Sequence, residues 1–242
     1  MKLARVILFV LLAAGARADM WLASNPTHYF HGSMANASRW PSLTSSAVYT
    51  NLGVPIPDGK PTWFNNTNQY FAGGPLVSLG SSFTVGARGI YRGNTAAGAL
   101  LWGQMQDGDG ATSWGEIDMR VRNARTAYAY IEEALFSTTR RVESETTNGV
   151  PLAVSNQFFS VFMRWNASTK SLAVFLNGQR GPEQTNATIT GNTPTNSFIG
   201  IRSFQGNLNS PNIGVGFDLA VWPWLPDAAV QKLSEPDGEW TR

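Results

Sequence analysis

Runs of mostly apolar residues, set off by polar turns, read as strands of period two through the last third of the chain. The run Val161-Phe162-Met163-Arg164-Trp165 leads into a polar turn, Asn166-Ala167-Ser168-Thr169, and returns as Leu172-Ala173-Val174-Phe175-Leu176 before Asn177-Gly178. Successive side chains of a strand point to opposite faces. Val161, Met163 and Trp165 therefore share a face, and Leu172, Val174 and Leu176 oppose them. Two more runs follow, Phe198-Ile199-Gly200-Ile201-Arg202 and Ile213 to Trp222. In the second, Phe217, Leu219 and Val221 occupy alternate positions. All these residues are expected to face a core between two sheets.

Earlier segments read the same way. His28-Tyr29-Phe30 is an expected first strand, and Trp40 to Asn51 reads as loop and short strands. Trp63-Phe64 and Tyr70-Phe71 flank a polar turn as strand, turn, strand. Phe83, Val85, Ala87 and Tyr91 alternate, and Ala99-Leu100-Leu101-Trp102 follows a glycine-rich turn. The run Ile131 to Phe136 reads as strand, because Tyr128 and Tyr130 precede it at period two. One helix is expected: Asp227 can cap a segment carrying Val230 and Leu233 that stops before Pro236.

This order resembles the closing half of a laminin-G-like domain of the concanavalin-A-like sandwich class. The resemblance rests on Leu176-Asn177-Gly178, Ile199-Gly200, the run to Trp222, and Leu225-Pro226-Asp227 with its short tail. Near the start, Trp40-Pro41-Ser42-Leu43-Thr44 resembles the family's opening phrase without its acidic residue. Ser82-Phe83-Thr84-Val85 resembles a family strand, with Arg88 near the tryptophan expected there. The resemblance implies an all-β, two-sheet antiparallel jelly roll spanning residues 19–242, with a short C-terminal helix. It specifies fold more than chemistry.

The first residues carry an address. Lys2 and Arg5 precede the apolar stretch Val6 to Gly15, and Ala16-Arg17-Ala18 has the small-x-small form of a signal-peptide cleavage site. Cleavage after Ala18 is expected to leave a secreted chain starting at Asp19, with no later stretch long enough to span a membrane. Loss of Lys2, Arg5 and Arg17 turns the formal charge of +2 into −1. That balance gives no reason to expect nucleic acid or an anionic membrane as partner. The 242 residues contain no cysteine, which excludes disulfides and thiol chemistry. Four glycosylation sequons begin at Asn36, Asn65, Asn166 and Asn186.

The strongest candidate for chemistry is Trp114-Gly115-Glu116-Ile117-Asp118-Met119-Arg120. Alternation puts Ile117, Met119 and Val121 on one face and Glu116, Asp118 and Arg120 on the other. The segment resembles the catalytic strand of laminarinase-like retaining glycoside hydrolases. There the first Glu is the nucleophile, the Asp tunes it, and a second Glu is acid/base. Retention needs two carboxylates about 5 Å apart, yet Arg120 or Val121 stands where the second should be. Glu132 or Glu133 would have to supply it from another strand. The competing reading is a solvated strand face of paired charges.

The loop Gln104 to Trp114 is the expected binding surface. Asp107 and Asp109 offer carboxylates to calcium, which takes several oxygens, and laminin-G-like domains often bind calcium at a rim. Trp102 and Trp114 flank the loop and could stack on sugar rings. No other cofactor is expected. The leading expectation is a non-catalytic secreted module that binds glycan or a neighbouring surface protein. The alternatives are a self-assembling structural subunit of an extracellular filament and a glycoside hydrolase using Glu116 and Asp118.

Overall fold

The alternation closes into two antiparallel sheets packed face to face. The computed structural model describes residues 19–56, 61–63, 69–91, 99–105, 116–122, 126–133, 139–146, 157–191, 194–200, 202–204, 207–209, 214–237 and 240. In chain order the strands are β1 His28–Phe30, β2 Arg39–Pro41, β3 Val48–Leu52, β4 Thr62–Trp63, β5 Tyr70–Gly73, β6 Phe83–Tyr91, β7 Ala99–Met105, β8 Glu116–Arg122 and β9 Thr126–Glu132. There follow β10 Arg141–Glu145, β11 Gln157–Asn166, β12 Ser171–Leu176, β13 Gln179–Arg180, β14 Gln184–Thr185, β15 Asn196–Ile199, β16 Arg202–Phe204, β17 Asn207–Asn209 and β18 Gly214–Pro223. Helix α1 is Met20–Ala23 and α2 is Asp227–Leu233.

Sheet A has the order β1-β18-β6-β11-β12-β13, with β4 on β18 and β14 on β12. Sheet B has the order β10-β9-β8-β7-β15-β5-β3-β2. Strands β16 and β17 pair only with each other among the described residues. The fold is the expected jelly-roll sandwich with one short C-terminal helix. Its inner faces meet as the alternation requires: Val161 pairs with Leu176, Met163 with Val174 and Trp165 with Leu172. These residues lie in the core between the sheets with Phe217, Leu219 and Val221. The Asn177-Gly178 turn joins β12 to β13 with φ of 48° and 79°. Positive φ at both central residues is what a two-residue hairpin turn needs.

Period two does not tell whether the second face is wet. On sheet A it is dry: Phe162, Phe175 and Trp222 are buried beneath Trp21 of α1 and Val230 and Leu233 of α2. Gly86 makes room for this layer, since a Cβ there would come within 2.5 Å of the Phe162 ring. The sequence did not announce α1, a single turn held by the Asp19 carboxylate, which accepts from the Trp21 and Leu22 amides.

Three readings change, and a fourth is met only in part. Trp63 and Tyr70 do not form a hairpin, because β4 joins sheet A and β5 joins sheet B. The run through Ile199 breaks at Gly200, whose φ of 94° ends β15. Asp227 is the first residue of α2 rather than its cap; that position is Pro226, and the Asp227 carboxylate meets Arg164 and Arg180 instead. The run from Ile131 is strand through Glu132, and residues 134–136 lie outside the described residues, as do 1–18 and Ile213.

Candidate functional site

The outer face of sheet B divides into an apolar and an ionic half. On the apolar half, Leu100, Met105 and Phe198 form a buried cluster with Tyr70 and Ala72 against them. The ionic half is carried by β8, β9 and β10. Register places Glu116 opposite Glu132, and Glu132 opposite Arg141. The next row sets Asp118 opposite Tyr130 and Tyr130 opposite Glu143. Opposed residues on one face of a sheet are close enough to interact directly.

Two arginines organise these rows. Arg120 donates from Nε to both oxygens of Asp118 at 2.7 Å, from Nη2 to the Tyr130 hydroxyl at 3.2 Å, and lies 3.5 Å from Glu116. Burial alone would lower its pKa, but Asp118, Tyr130 and Glu116 together raise it, so it stays charged. Arg141 donates to Glu132 at 3.2 Å, to the Tyr128 hydroxyl at 2.6 Å and to Glu143 at 3.1 Å. Its guanidinium lies 4.6 Å from the centre of the Tyr130 ring. Tyr128 donates to Glu143 at 2.6 Å, and burial followed by that bond pushes its pKa up to about 12.

The expected faces of β8 are correct: Ile117, Met119 and Val121 enter the core, and Glu116, Asp118 and Arg120 point away from it. The charges are paired, as the non-catalytic reading holds, but they are not a solvated face. The Asp118 side chain is 0% exposed and that of Glu116 2%. Exposure rises only at the sheet edge, to 32% for Arg141 and 56% for Glu143.

A second carboxylate does stand beside Glu116. It is Glu132, whereas Glu133 accepts from the Thr190 amide at 2.6 Å and from Gly191, pinning that loop. Glu116 and Glu132 are each engaged by a guanidinium. Among the described residues both carboxylates are thus held in ion pairs.

The expectation for Trp102 is overturned. The bulge between Leu100 and Trp102 turns its ring inward, where it is fully buried and donates to the Tyr49 hydroxyl at 3.1 Å. It has no face to offer a ligand. Asp107, Asp109 and Trp114 lie outside the described residues. Their loop leaves β7 at Met105 and rejoins β8 at Glu116, two residues paired with each other. Both ends of the loop thus sit at the row that continues through Glu132 to Arg141. Among the described residues no group of three or more His, Asp or Glu side chains is placed to hold a metal, and no helix is long and apolar enough to cross a membrane.

Sequence reasoning missed Tyr128, Tyr130, Arg141 and Glu143. The available signal was the alternation of Arg141, Glu143 and Glu145 along one edge. It identifies a charged face without identifying its neighbour.

No protein-family model and no curated protein matches the sequence. Solved structures do share the sandwich. The CBM40 of a Ruminococcus gnavus IT-sialidase bound to α2,6-sialyllactose has a TM-score of 0.55 at 14% identity, over 64% of this chain and 84% of that one. The botulinum neurotoxin serotype D ligand-binding domain in complex with N-acetylneuraminic acid has a TM-score of 0.61 at 10% identity, over 88% of this chain and 52% of that one. Trypanosoma rangeli sialidase in complex with the inhibitor DANA has a TM-score of 0.60 at 12% identity, over 86% of this chain and 32% of that one. At such identities the likeness is one of fold, a two-sheet β-sandwich.

Proposed function

We propose that this chain is a secreted, non-catalytic glycan-binding module of the concanavalin-A-like class, and that it takes its ligand at the Arg141 edge of sheet B. The observation that carries the reading is the group formed by Arg141, Tyr128, Tyr130, Glu132 and Glu143. It combines a partly exposed guanidinium and an exposed carboxylate on β10 with the hydroxyls of two tyrosines on β9, whose rings are themselves buried. Sugars present hydroxyl and carboxylate groups, which an accessible guanidinium and carboxylate match by charge-assisted hydrogen bonds. Similar sandwiches hold sialyllactose and N-acetylneuraminic acid. An acidic sugar is the first ligand to test, because a guanidinium binds carboxylates in bidentate fashion.

The loop of Asp107, Asp109 and Trp114 belongs to the same proposal. It springs from the Met105–Glu116 pair, so calcium held by its carboxylates would order it beside the arginine rows. Calcium would thus act as a positioning ion, and Trp114 would supply the ring that Trp102 does not.

The experiment is a glycan array followed by calorimetric titration of α2,3- and α2,6-sialyllactose and lactose, with and without calcium. Binding that falls in Arg141→Ala supports the proposal, and a calcium requirement lost in Asp107→Asn with Asp109→Asn supports its loop. Silence across the array rejects it. Glycan hydrolysis abolished by Glu116→Gln would put the hydrolase reading in its place.

A further inference from the structure

The outer face of sheet A holds a third arginine, remote from the glycan edge. Arg88 on β6 is 2% exposed and meets three aspartates: Asp218 on β18 at 2.9 Å, Asp237 near the C-terminus at 2.5 Å, and Asp19 before α1 at 3.0 Å. Their side chains are 0%, 7% and 26% exposed. Asp218 also accepts from the Gly32 amide at 2.8 Å, and the Tyr29 hydroxyl donates to Asp19 at 2.5 Å. Trp21 lies under the guanidinium at 4.4 Å and Trp240 at 6.0 Å.

Among the described residues the charges do not balance. Three carboxylates face one guanidinium, and Arg88 is the only cationic side chain ion-paired with them among the described residues. Uncompensated charge is costly where water is excluded. Asp19 is the residue that would become the first of the chain if the signal peptide is cut after Ala18. The next amide, that of Met20, already donates to Asp237 at 2.5 Å. Consecutive backbone nitrogens lie about 3.5 Å apart, so the Asp19 nitrogen stands within about 6 Å of that carboxylate.

We propose that cleavage between Ala18 and Asp19 completes this cluster, the new α-ammonium group of Asp19 serving as its second cation. A signal peptidase hydrolyses the peptide bond with one water. The carboxylate departs with Ala18, and the amine stays on Asp19 and takes up a proton. In the uncut chain the same nitrogen is a neutral amide. Proteolytic maturation therefore stabilises the folded domain in addition to releasing it. This inference rests on the expected cleavage site and on the cluster, and is independent of the glycan site.

The pH dependence has a definite sign. The titratable groups of the cluster around Asp19 are Arg88, Asp218, Asp237, its own carboxylate and Tyr29, with His31 packed edge-on against the Tyr29 ring at 5.8 Å. Burial, and then Asp218, pushes the Tyr29 hydroxyl far up, so it remains protonated across the window. Carboxylates favour the ammonium form and Arg88 opposes it; with three carboxylates to one guanidinium among the described residues, its pKa is expected above the ordinary value of about 8. Its contribution is present in full below that value and fades as pH rises through the folded-state pKa.

The test compares two chains, one starting at Asp19 and one with Gly-Ser-Gly-Ser before it, each with and without Asp237→Asn. At pH 6.5 the Asp19 start is expected to melt at least roughly 2–4 °C higher, with the gap closing above about pH 8. Asp237→Asn should lower the melting temperature of the Asp19 start and leave unchanged or raise that of the extended chain. Equal melting of the two starts overturns the proposal. So does a gap that ignores pH, which would mark a steric effect, or an Asp237→Asn effect equal in both backgrounds.

Discussion

Arg88 and Arg141 carry the same chemistry on opposite outer faces of one sandwich. Each is a strand arginine that meets carboxylates, a tyrosine hydroxyl and an aromatic ring. They differ in what covers them. Arg88 lies beneath Trp21 and Trp240, rings brought from the two ends of the described chain, and its side chain is 2% exposed against 32% for Arg141. A guanidinium sealed this way serves the fold alone. At an open edge it can exchange a protein partner for a ligand. The lesson is that residue type names the chemistry, and the cover decides whether it is available.

The largest expected effect separates the two directly. Arg88→Met leaves Asp218 and Asp237 buried without their cation, and breaking a buried pair from one side costs about 3–5 kcal/mol. Urea unfolding should show that loss as a lower midpoint at unchanged slope. A cost under about 1 kcal/mol would mean that Arg88 is no more structural than an exposed ion pair.

Much of this fold was legible, for a reason visible in β11 and β12. Val161, Met163 and Trp165 pair with Leu176, Val174 and Leu172, and one pairing satisfies both strands. The covered outer faces were not legible. Phe162, Phe175 and Trp222 fill the alternate positions of the same strands, and only the later packing of α1 and α2 shows that they are buried too. The site was legible in part for the same reason. Glu116, Asp118 and their partner Arg120 were placed on the correct face of β8 and Glu132 was named as a neighbour, but Tyr130 beside Asp118 and Arg141 beyond Glu132 come from other strands that the alternation of β8 does not reveal. Trp102 was misjudged because a bulge, invisible in composition, inverts the alternation just before it.

At the open edge the order of effects reverses. Arg141→Ala should change stability by less than about 1 kcal/mol, because a partly exposed pair contributes little. Glycan affinity should fall roughly tenfold or more, the equivalent of losing one charge-assisted hydrogen bond. Parallel melting and titration of this variant decide the comparison. A large stability loss with affinity retained would make Arg141 a second Arg88.

A smaller effect tests how tightly the edge is held. The pKa of Tyr128 is pushed up to about 12 by burial and by its bond to Glu143. Its contribution is present below the unfolded value of about 10 and is lost as pH rises from there towards 12. The melting difference between the parent and Tyr128→Phe should therefore narrow across that interval. A constant difference would mean that the hydroxyl is not held as the geometry implies.

The smallest effect concerns what anchors the Arg141 strand. Asn186, just after β14, donates both hydrogens of Nδ2, to the carbonyls of Thr139 at 2.9 Å and Arg141 at 2.8 Å. Its Oδ1 accepts from the Thr188 hydroxyl at 2.7 Å. Asn36 and Asn166 use Oδ1 in the same way, towards Ser38 at 2.9 Å and Ser168 at 2.8 Å, but their Nδ2 groups make no hydrogen bond among the described residues. Attaching a glycan replaces one hydrogen of Nδ2 and adds bulk there. At Asn36 and Asn166 that costs no internal bond. At Asn186 it removes one of two, worth about 1 kcal/mol, and pushes a sugar between β14 and the segment entering β10. A chain secreted through a glycosylating pathway should accordingly carry glycan at Asn36 and Asn166 and leave Asn186 bare; Asn65 lies outside the described residues. Peptide mapping by mass spectrometry after enzymatic deglycosylation in heavy-oxygen water reads each site separately. Full occupancy at Asn186 in a chain that still binds glycan would show that the edge does not depend on this anchor, and that Arg141 is positioned by its side-chain partners alone.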